Sequence, residues 1–198
     1  MPGLDNLIAK SLEEIIKKNL GENMIRKIED RLFEKYGVSF TQAMEEFDKL
    51  DLVLREFFGK GADGLERKFF ENIFQSKSKS KEGWYTLRDE KISQMILQSF
   101  GDLEKKAILE SVAETPKIIS EIIDDCNLSQ TSGYRKINNL IDNGLLYKAG
   151  QISRDNKKIN KYLCAFSNLR INLEGKKMSV ELQLMNSEKS LFIKTIRL

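Results

Sequence analysis

The chain has 198 residues, of which 40% are hydrophobic and 32% charged, with a formal net charge of +3 and no histidine. That length suits one large domain or two small ones, and the composition shifts along the chain fit two better. So small a net charge excludes a generic polyanion binder, so any nucleic-acid affinity must come from local clustering, and without histidine, a Cys/His cluster or a nucleophile elbow neither an enzyme nor a cofactor is expected.

Residues 4 to 75 read as almost wholly helical. Leu4, Leu7, Ile8, Leu12, Ile15 and Ile16 define one amphipathic segment ending near Gly21, and Met24, Ile25, Ile28, Leu32, Phe33 and Tyr36 define a second that stops at Gly37. Ser39 can cap a third, with Phe40, Ala43, Met44 and Phe47 inward, and Leu50 to Phe58 continues it after a bend. The glycine-rich run from Gly59 to Gly64 lacks the Gly-Lys-Ser/Thr ending of a phosphate-binding loop and follows no strand, so it reads as a turn before Leu65 to Phe74. Glu45, Glu46, Asp48 and Asp51 read as a solvated acidic face rather than a metal site. Through residues 19 to 23, 31 to 37 and 54 to 65 this half resembles the helical Nitrosopumilus output domains of ammonia-oxidising archaea. The resemblance implies a module joined to regulators and carries over no activity.

Residues 76–83, Ser-Lys-Ser-Lys-Ser-Lys-Glu-Gly, read with Gln75 as a polar, basic, flexible linker. Trp84 and Tyr85 mark the edge of a second domain. Ile92, Met95, Ile96, Leu97 and Phe100 predict a helix before Gly101, and Asp102 can cap the next, with Leu103, Ala107, Ile108 and Val112 facing inward.

The densest pattern runs from Pro116 to Phe166. Lys117 to Cys126 reads as a helix with Ile118, Ile119, Ile122, Ile123 and Cys126 on one face and Pro116 at its first turn. Ser129 can cap the next helix, in which Gly133, Ile137, Leu140 and Ile141 point inward and which Gly144 stops. Its outer side carries Thr131, Arg135, Asn138, Asn139 and Asp142, flanked by Tyr134 and Lys136, with Gln130 and Ser132 at the first turn. Amides, hydroxyls and an arginine in place of interleaved Glu/Lys pairs suit base edges and phosphate oxygens. Strand signals at 145–147 and 159–166 then enclose a polar turn at 153–158, tipped by Arg154, Lys157 and Lys158. Helix, turn, helix and basic hairpin in that order read as a winged helix-turn-helix, which sets one helix in the DNA major groove and a loop against the backbone.

Through the run at 128 to 137 and the Asn-Gly-Leu-Leu at 143 to 146, this segment resembles the winged helix-turn-helix of ArsR-like archaeal transcriptional regulators. That resemblance implies sequence-specific DNA binding by the helix from Ser129, with the wing on phosphate. Gly133 departs from the pattern, which places valine or a similar core residue there, and costs up to about 1 kcal/mol of helix propensity. Metal sensing does not carry over, since Cys126 and Cys164 read as core thiols of a reduced protein. Charge agrees with the DNA reading: Ser129 to Leu163 holds seven Lys/Arg against two Asp/Glu, whereas Asp102 to Leu128 holds three against seven. The alternative is a winged-helix adaptor that docks proteins without binding DNA.

After Phe166 the alternation of Leu169, Ile171 and Leu173, then Val180, Leu182 and Leu184, about Glu174-Gly175-Lys176-Lys177 predicts a hairpin, and Leu191 to Leu198 alternates similarly. Its apolar face needs a partner, either the winged domain or a second subunit. The expected fold is therefore α+β, mainly α: a small helical bundle at 1–75 that senses or docks, a linker at 76–83, a winged helix-turn-helix at 84–166 and a β extension at 167–198. No apolar run approaches membrane-spanning length and no signal-peptide pattern opens the chain, so a cytoplasmic location is expected. The expected partner is double-stranded DNA, with a homodimer and an effector or protein partner for residues 1–75 left open.

Overall fold

The computed structural model describes residues 2–76, 84–154 and 157–184. The fold is α+β and mainly α. It begins with α1 (Pro2–Leu20), α2 (Glu22–Tyr36), α3 (Phe40–Glu45), α4 (Phe47–Phe58) and α5 (Ala62–Ile73), continues through β1 (Phe74–Ser76) and β2 (Trp84–Leu87), and passes into α6 (Glu90–Gly101) and α7 (Leu103–Ser111). Then come α8 (Ile119–Asp125), α9 (Gln130–Asp142), β3 (Leu146–Arg154), β4 (Lys157–Cys164), β5 (Phe166–Glu174) and β6 (Lys177–Leu184). No helix among the described residues is long and apolar enough to cross a membrane.

The helix boundaries follow local chemistry. Gly37, at φ 64°, ends α2 in the left-handed conformation that a Cβ would strain. Ser39 and Gln42 form a reciprocal capping box on α3. The bend between α3 and α4 falls at Glu46, and Gly59–Gly61 form a single 3₁₀ turn before α5. Phe33, expected inward, is instead 71% exposed, because α2 buries only the stripe of Ile25, Ile28 and Leu32.

Two antiparallel sheets follow. β3 and β4 pair with each other, whereas β1, β2, β6 and β5 form a four-stranded sheet in that order. Gln75 and Ser76, read as the start of a linker, belong to β1, which pairs with β2 through Phe74↔Leu87 and Gln75↔Thr86. The linker's remaining residues, 77–83, and the alternation at 191–198 lie outside the described residues. One continuous apolar cluster runs from Leu7 in α1 to Leu182 in β6. α1 packs on α3, α5, α6 and β3, and Lys91 of α6 meets Glu14 of α1 at 2.6 Å.

Asp51 also departs from its expected solvated face. It is buried on α4 beside Glu66 of α5, which has no exposed surface. Arg55 Nε lies 2.7 Å from Asp51 Oδ1, and Arg55 donates to Asp63 at 2.7 Å. Neither oxygen of Glu66 meets a donor. Burial first, then the neighbouring Asp51 carboxylate, push the Glu66 carboxyl up to about 8, so near neutral pH it keeps its proton.

A carboxyl whose folded pKa is raised holds a proton that the unfolded chain releases above its ordinary value of 4.5. Its contribution to stability therefore falls as pH rises from 4.5 and levels above about 8. Thermal melts from pH 5 to 9 should show wild type losing stability by up to about 1.4 kcal/mol per pH unit more steeply than Glu66→Gln. Parallel pH profiles for the two proteins would contradict a Glu66 carboxyl held protonated by its burial.

Candidate nucleic-acid interface

α7, α8 and α9 form a three-helix corner on which the β3–β4 hairpin rests. Asp102 caps α7 by accepting from the amides of Glu104 and Lys105 at 3.0 and 3.2 Å. Ile108, Leu109 and Val112 turn inward, but Leu103, expected among them, is 80% exposed at the first turn of the helix. Pro116 and Lys117, expected in the following helix, precede it. The Lys117 amide and carbonyl are both engaged by Tyr162 of β4, at 3.1 and 2.8 Å, and α8 starts only at Ile119, where the Glu121 carboxylate accepts from the Ile118 amide at 3.0 Å.

The turn between α8 and α9 is closed by backbone bonds. Asn127 adopts a left-handed φ of 50°, and the Leu128 amide reaches the Ile123 carbonyl at 3.0 Å. Ser129 then caps α9 by accepting from the Ser132 amide at 3.3 Å. Gly133 sits where the two helices cross: a Cβ there would lie 2.6 Å from Ile123 Cγ1 and 3.0 Å from its Cδ1. The glycine thus trades helix propensity for close approach. At the far end Gly144, at φ 70°, stops α9, and the Leu145 amide bonds the Leu140 carbonyl at 2.9 Å.

With Gly133, Ile137 and Leu140 buried, the polar residues of α9 other than Asp142 at its last turn fall into two groups. One is occupied by α7. Ser132 donates to Glu104 at 3.0 Å, Lys136 donates to Asp102 at 2.6 Å and lies 3.2 Å from Glu104, and Asn139 accepts from Lys105 at 2.6 Å. The hydrogen bond to Asp102 raises the Lys136 ammonium above its ordinary range, and the same bond holds the Asp102 carboxyl below its own. The second group is Gln130, Thr131, Tyr134, Arg135 and Asn138. These are all exposed and form no side-chain hydrogen bond or ion pair among the described residues. On a helix, positions 131, 134, 135 and 138 share one face.

The two ends of α9 differ in charge. Around its carboxy-terminal turn, Asp142 and Gly144 join Lys10 and Glu13 of α1 and Glu45 of α3 in lining a cleft of about 450 Å³. Lys10 donates to the Asp142 carbonyl at 3.3 Å across that seam. The amino-terminal turn, by contrast, has no acidic residue, and its amides carry the positive end of the helix dipole. Glu104 of α7 nevertheless lies against this turn, where it accepts from Ser132 at 3.0 Å.

The hairpin is longer than its sequence pattern predicted: residues 153, 154, 157 and 158, read as a polar turn, extend the strands, and only 155–156, outside the described residues, separate them. Arg154 pairs across the strands with Lys157, and Ser153 with Lys158. Because cross-strand partners share a face and neighbours alternate, Arg154 and Lys157 lie on one face and Lys158 on the other. All three side chains are exposed. On the Lys158 face, Gln151 donates to Asn160 at 2.8 Å.

The two cysteines are free thiols. Burial pushes the Cys126 thiol up and that of Cys164 to about 11, which leaves both poor nucleophiles. No cluster of three or more His, Cys, Asp or Glu able to hold a metal occurs among the described residues. No protein-family model, no curated protein and no solved structure matches the chain.

If the α8–α9 crossing depends on the missing side chain at Gly133, Gly133→Val should cost about 1 to 3 kcal/mol in urea unfolding through overpacking against Ile123. Gly133→Ala should fall short of the up to about 1 kcal/mol of helix stabilisation that an exposed site would give. Undiminished stability of the valine variant would show that the two helices do not need this approach.

Proposed function

We propose that the chain is a sequence-specific DNA-binding transcriptional regulator whose α8–α9–hairpin unit is a winged helix-turn-helix. The observation that carries this reading is the unspent polar face of α9. Gln130, Thr131, Tyr134, Arg135 and Asn138 stand exposed with their hydrogen-bonding groups unengaged among the described residues, beside a hairpin with exposed cations at its tip. Arginine can pair bidentately with guanine and Asn or Gln with adenine, while Thr, Tyr and the helix amides suit phosphate. Ser132, Lys136 and Asn139 take a different part in this reading. Held by α7, they tie the reading helix to its neighbour instead of facing bases.

Arg154 and Lys157, on one face of the hairpin, are the wing's phosphate contacts. The acidic cleft at the carboxy-terminal end of α9 repels the backbone there and so helps orient the duplex toward the amino-terminal end. The helical amino-terminal part, resembling an archaeal output module, is the sensing or docking partner of the reading unit, and it meets α9 through Lys10. A gel-shift assay against genomic fragments tests the whole proposal. Saturable binding to a few fragments supports it; absence of binding at low salt sinks it.

Within this scheme the residues should fail in distinct ways. Arg135→Ala is expected to cost about 1 to 3 kcal/mol on the preferred site and to relax base preference there. Lys136→Ala should lower folding stability while leaving base preference in place. Uniform weakening on all sequences by Arg135→Ala would remove it from base reading.

Replacing Arg154 and Lys157 together by Ala should lower affinity for every sequence and flatten the log-affinity against log-salt slope by about one unit for each phosphate no longer neutralised. An unchanged slope in a salt titration would mean that the tip is only a solvated turn.

A further inference from the structure

The β5–β6 hairpin carries an apolar face that outruns the body of the protein. Its register sets Leu169 opposite Leu182, Ile171 opposite Val180 and Leu173 opposite Met178, so all six share one face. At the base, Val180 and Leu182 are buried; toward the tip, Ile171, Leu173 and Met178 are 47%, 74% and 55% exposed. β5 also ends the strand order of its sheet, so its outer edge pairs with no strand among the described residues. An edge that is both unpaired and apolar invites a further strand.

The chemistry of that edge is self-complementary. Gly175 and Lys176 form a two-residue turn with Gly175 at φ 60°, so the flanking Glu174 and Lys177 exchange both ladder hydrogen bonds. Alternation then turns the amides and carbonyls of Ile171 and Leu173 outward. If a second β5 lies antiparallel across a two-fold axis at Asn172, Ile171 of each copy faces Leu173 of the other, and outward amides meet outward carbonyls. The same register sets Arg170 opposite Glu174 of the second copy, twice over, although within the chain the Arg170 guanidinium lies 3.8 Å over the Trp84 ring and must swing toward the edge to meet that carboxylate. Centring the axis on Arg170 or on Glu174 would instead oppose like charges.

We propose that the chain forms a two-fold dimer by pairing β5 with β5 of a second copy about Asn172, joining Ile171, Leu173 and Met178 of both copies in one apolar strip. The contact is isologous, each residue i meeting j and each j meeting i, as closed two-fold assembly requires. The resulting sheet runs continuously through both copies. The dimer is independent of the DNA-binding proposal, and either can fail without the other.

Sedimentation equilibrium of the full chain at micromolar concentration should give twice 22.9 kDa. Glu174→Lys and Arg170→Glu each oppose like charges across the axis, so each alone should weaken self-association at least about tenfold. Glu174→Lys is the cleaner variant, because Arg170→Glu also removes the stack on Trp84 and faces Glu181 within the chain. An equimolar mixture of the two variants should recover the dimer, because every cross-axis pair is then of opposite sign. Circular dichroism checks that each variant folds. Asn172→Cys, which alters no charge, should yield a disulfide-linked dimer on mild oxidation, whereas Ser179→Cys on the inner strand should not. A wild-type mass of 22.9 kDa, a mixture that stays monomeric, or an Asn172→Cys protein that does not cross-link would overturn the proposal. A monomer would mean that the strip is covered within one chain, and a dimer insensitive to both charge changes would mean that another surface pairs.

Discussion

Ile123 and Gly133 meet at a distance that no Cβ could share, and the arrangement of the candidate site depends on that contact. It lets α9 settle deep against α8 and fixes its rotation about its own axis. One residue of slip would turn every side chain by about 100°. Lys136 would then leave Asp102, Asn139 would leave Lys105, and the open face would carry different residues. The glycine costs helix propensity, and the buried Ile137 and Leu140 that it brings into the core compensate.

The electrostatics of the corner follow from that rotation. The acidic first turn of α7 is satisfied from within by Lys136, by Ser132 and by its own capped amides. Without Lys136 that turn would leave Asp102 and Glu104 uncompensated beside the exposed polar face of α9. Its charge is thus neutralised beside the open face, and Arg135, exposed next to the bound Ser132 and Asn139, forms no side-chain hydrogen bond or ion pair among the described residues. The positive excess counted along this stretch of sequence is therefore not all available to a ligand: Lys136 is spent on the fold, whereas Arg135, Arg154 and Lys157 are not.

Much of this was legible locally. Ser39, Asp102 and Ser129 cap helices, and Gly37, Gly144 and Gly175 turn the chain, because those signals need only residues a few positions apart. The inward and outward sides of α9 were also legible from period alone. What periodicity could not supply was the identity of the partner. Nothing near Lys117 announces Tyr162, and nothing near Trp84 announces β6, because those pairings close long loops. Asp51 looked solvated on its own helix and is buried only because α5 lies over it. Phe33 and Leu103 looked inward by composition, yet their helices use other stripes. Likewise Ser132, Lys136 and Asn139 shared a polar surface with Arg135 in sequence, and only the position of α7 separates them.

In the proposed function the open face of α9 reads bases. Binding-site selection by the full chain from a randomised duplex pool tests it most directly. Wild type should enrich one short motif, with information at one position vanishing when Arg135 is replaced by Ala and retained when Lys136 is replaced. A pool that stays random under conditions where the protein binds DNA, or an identical motif with and without Arg135, would contradict it.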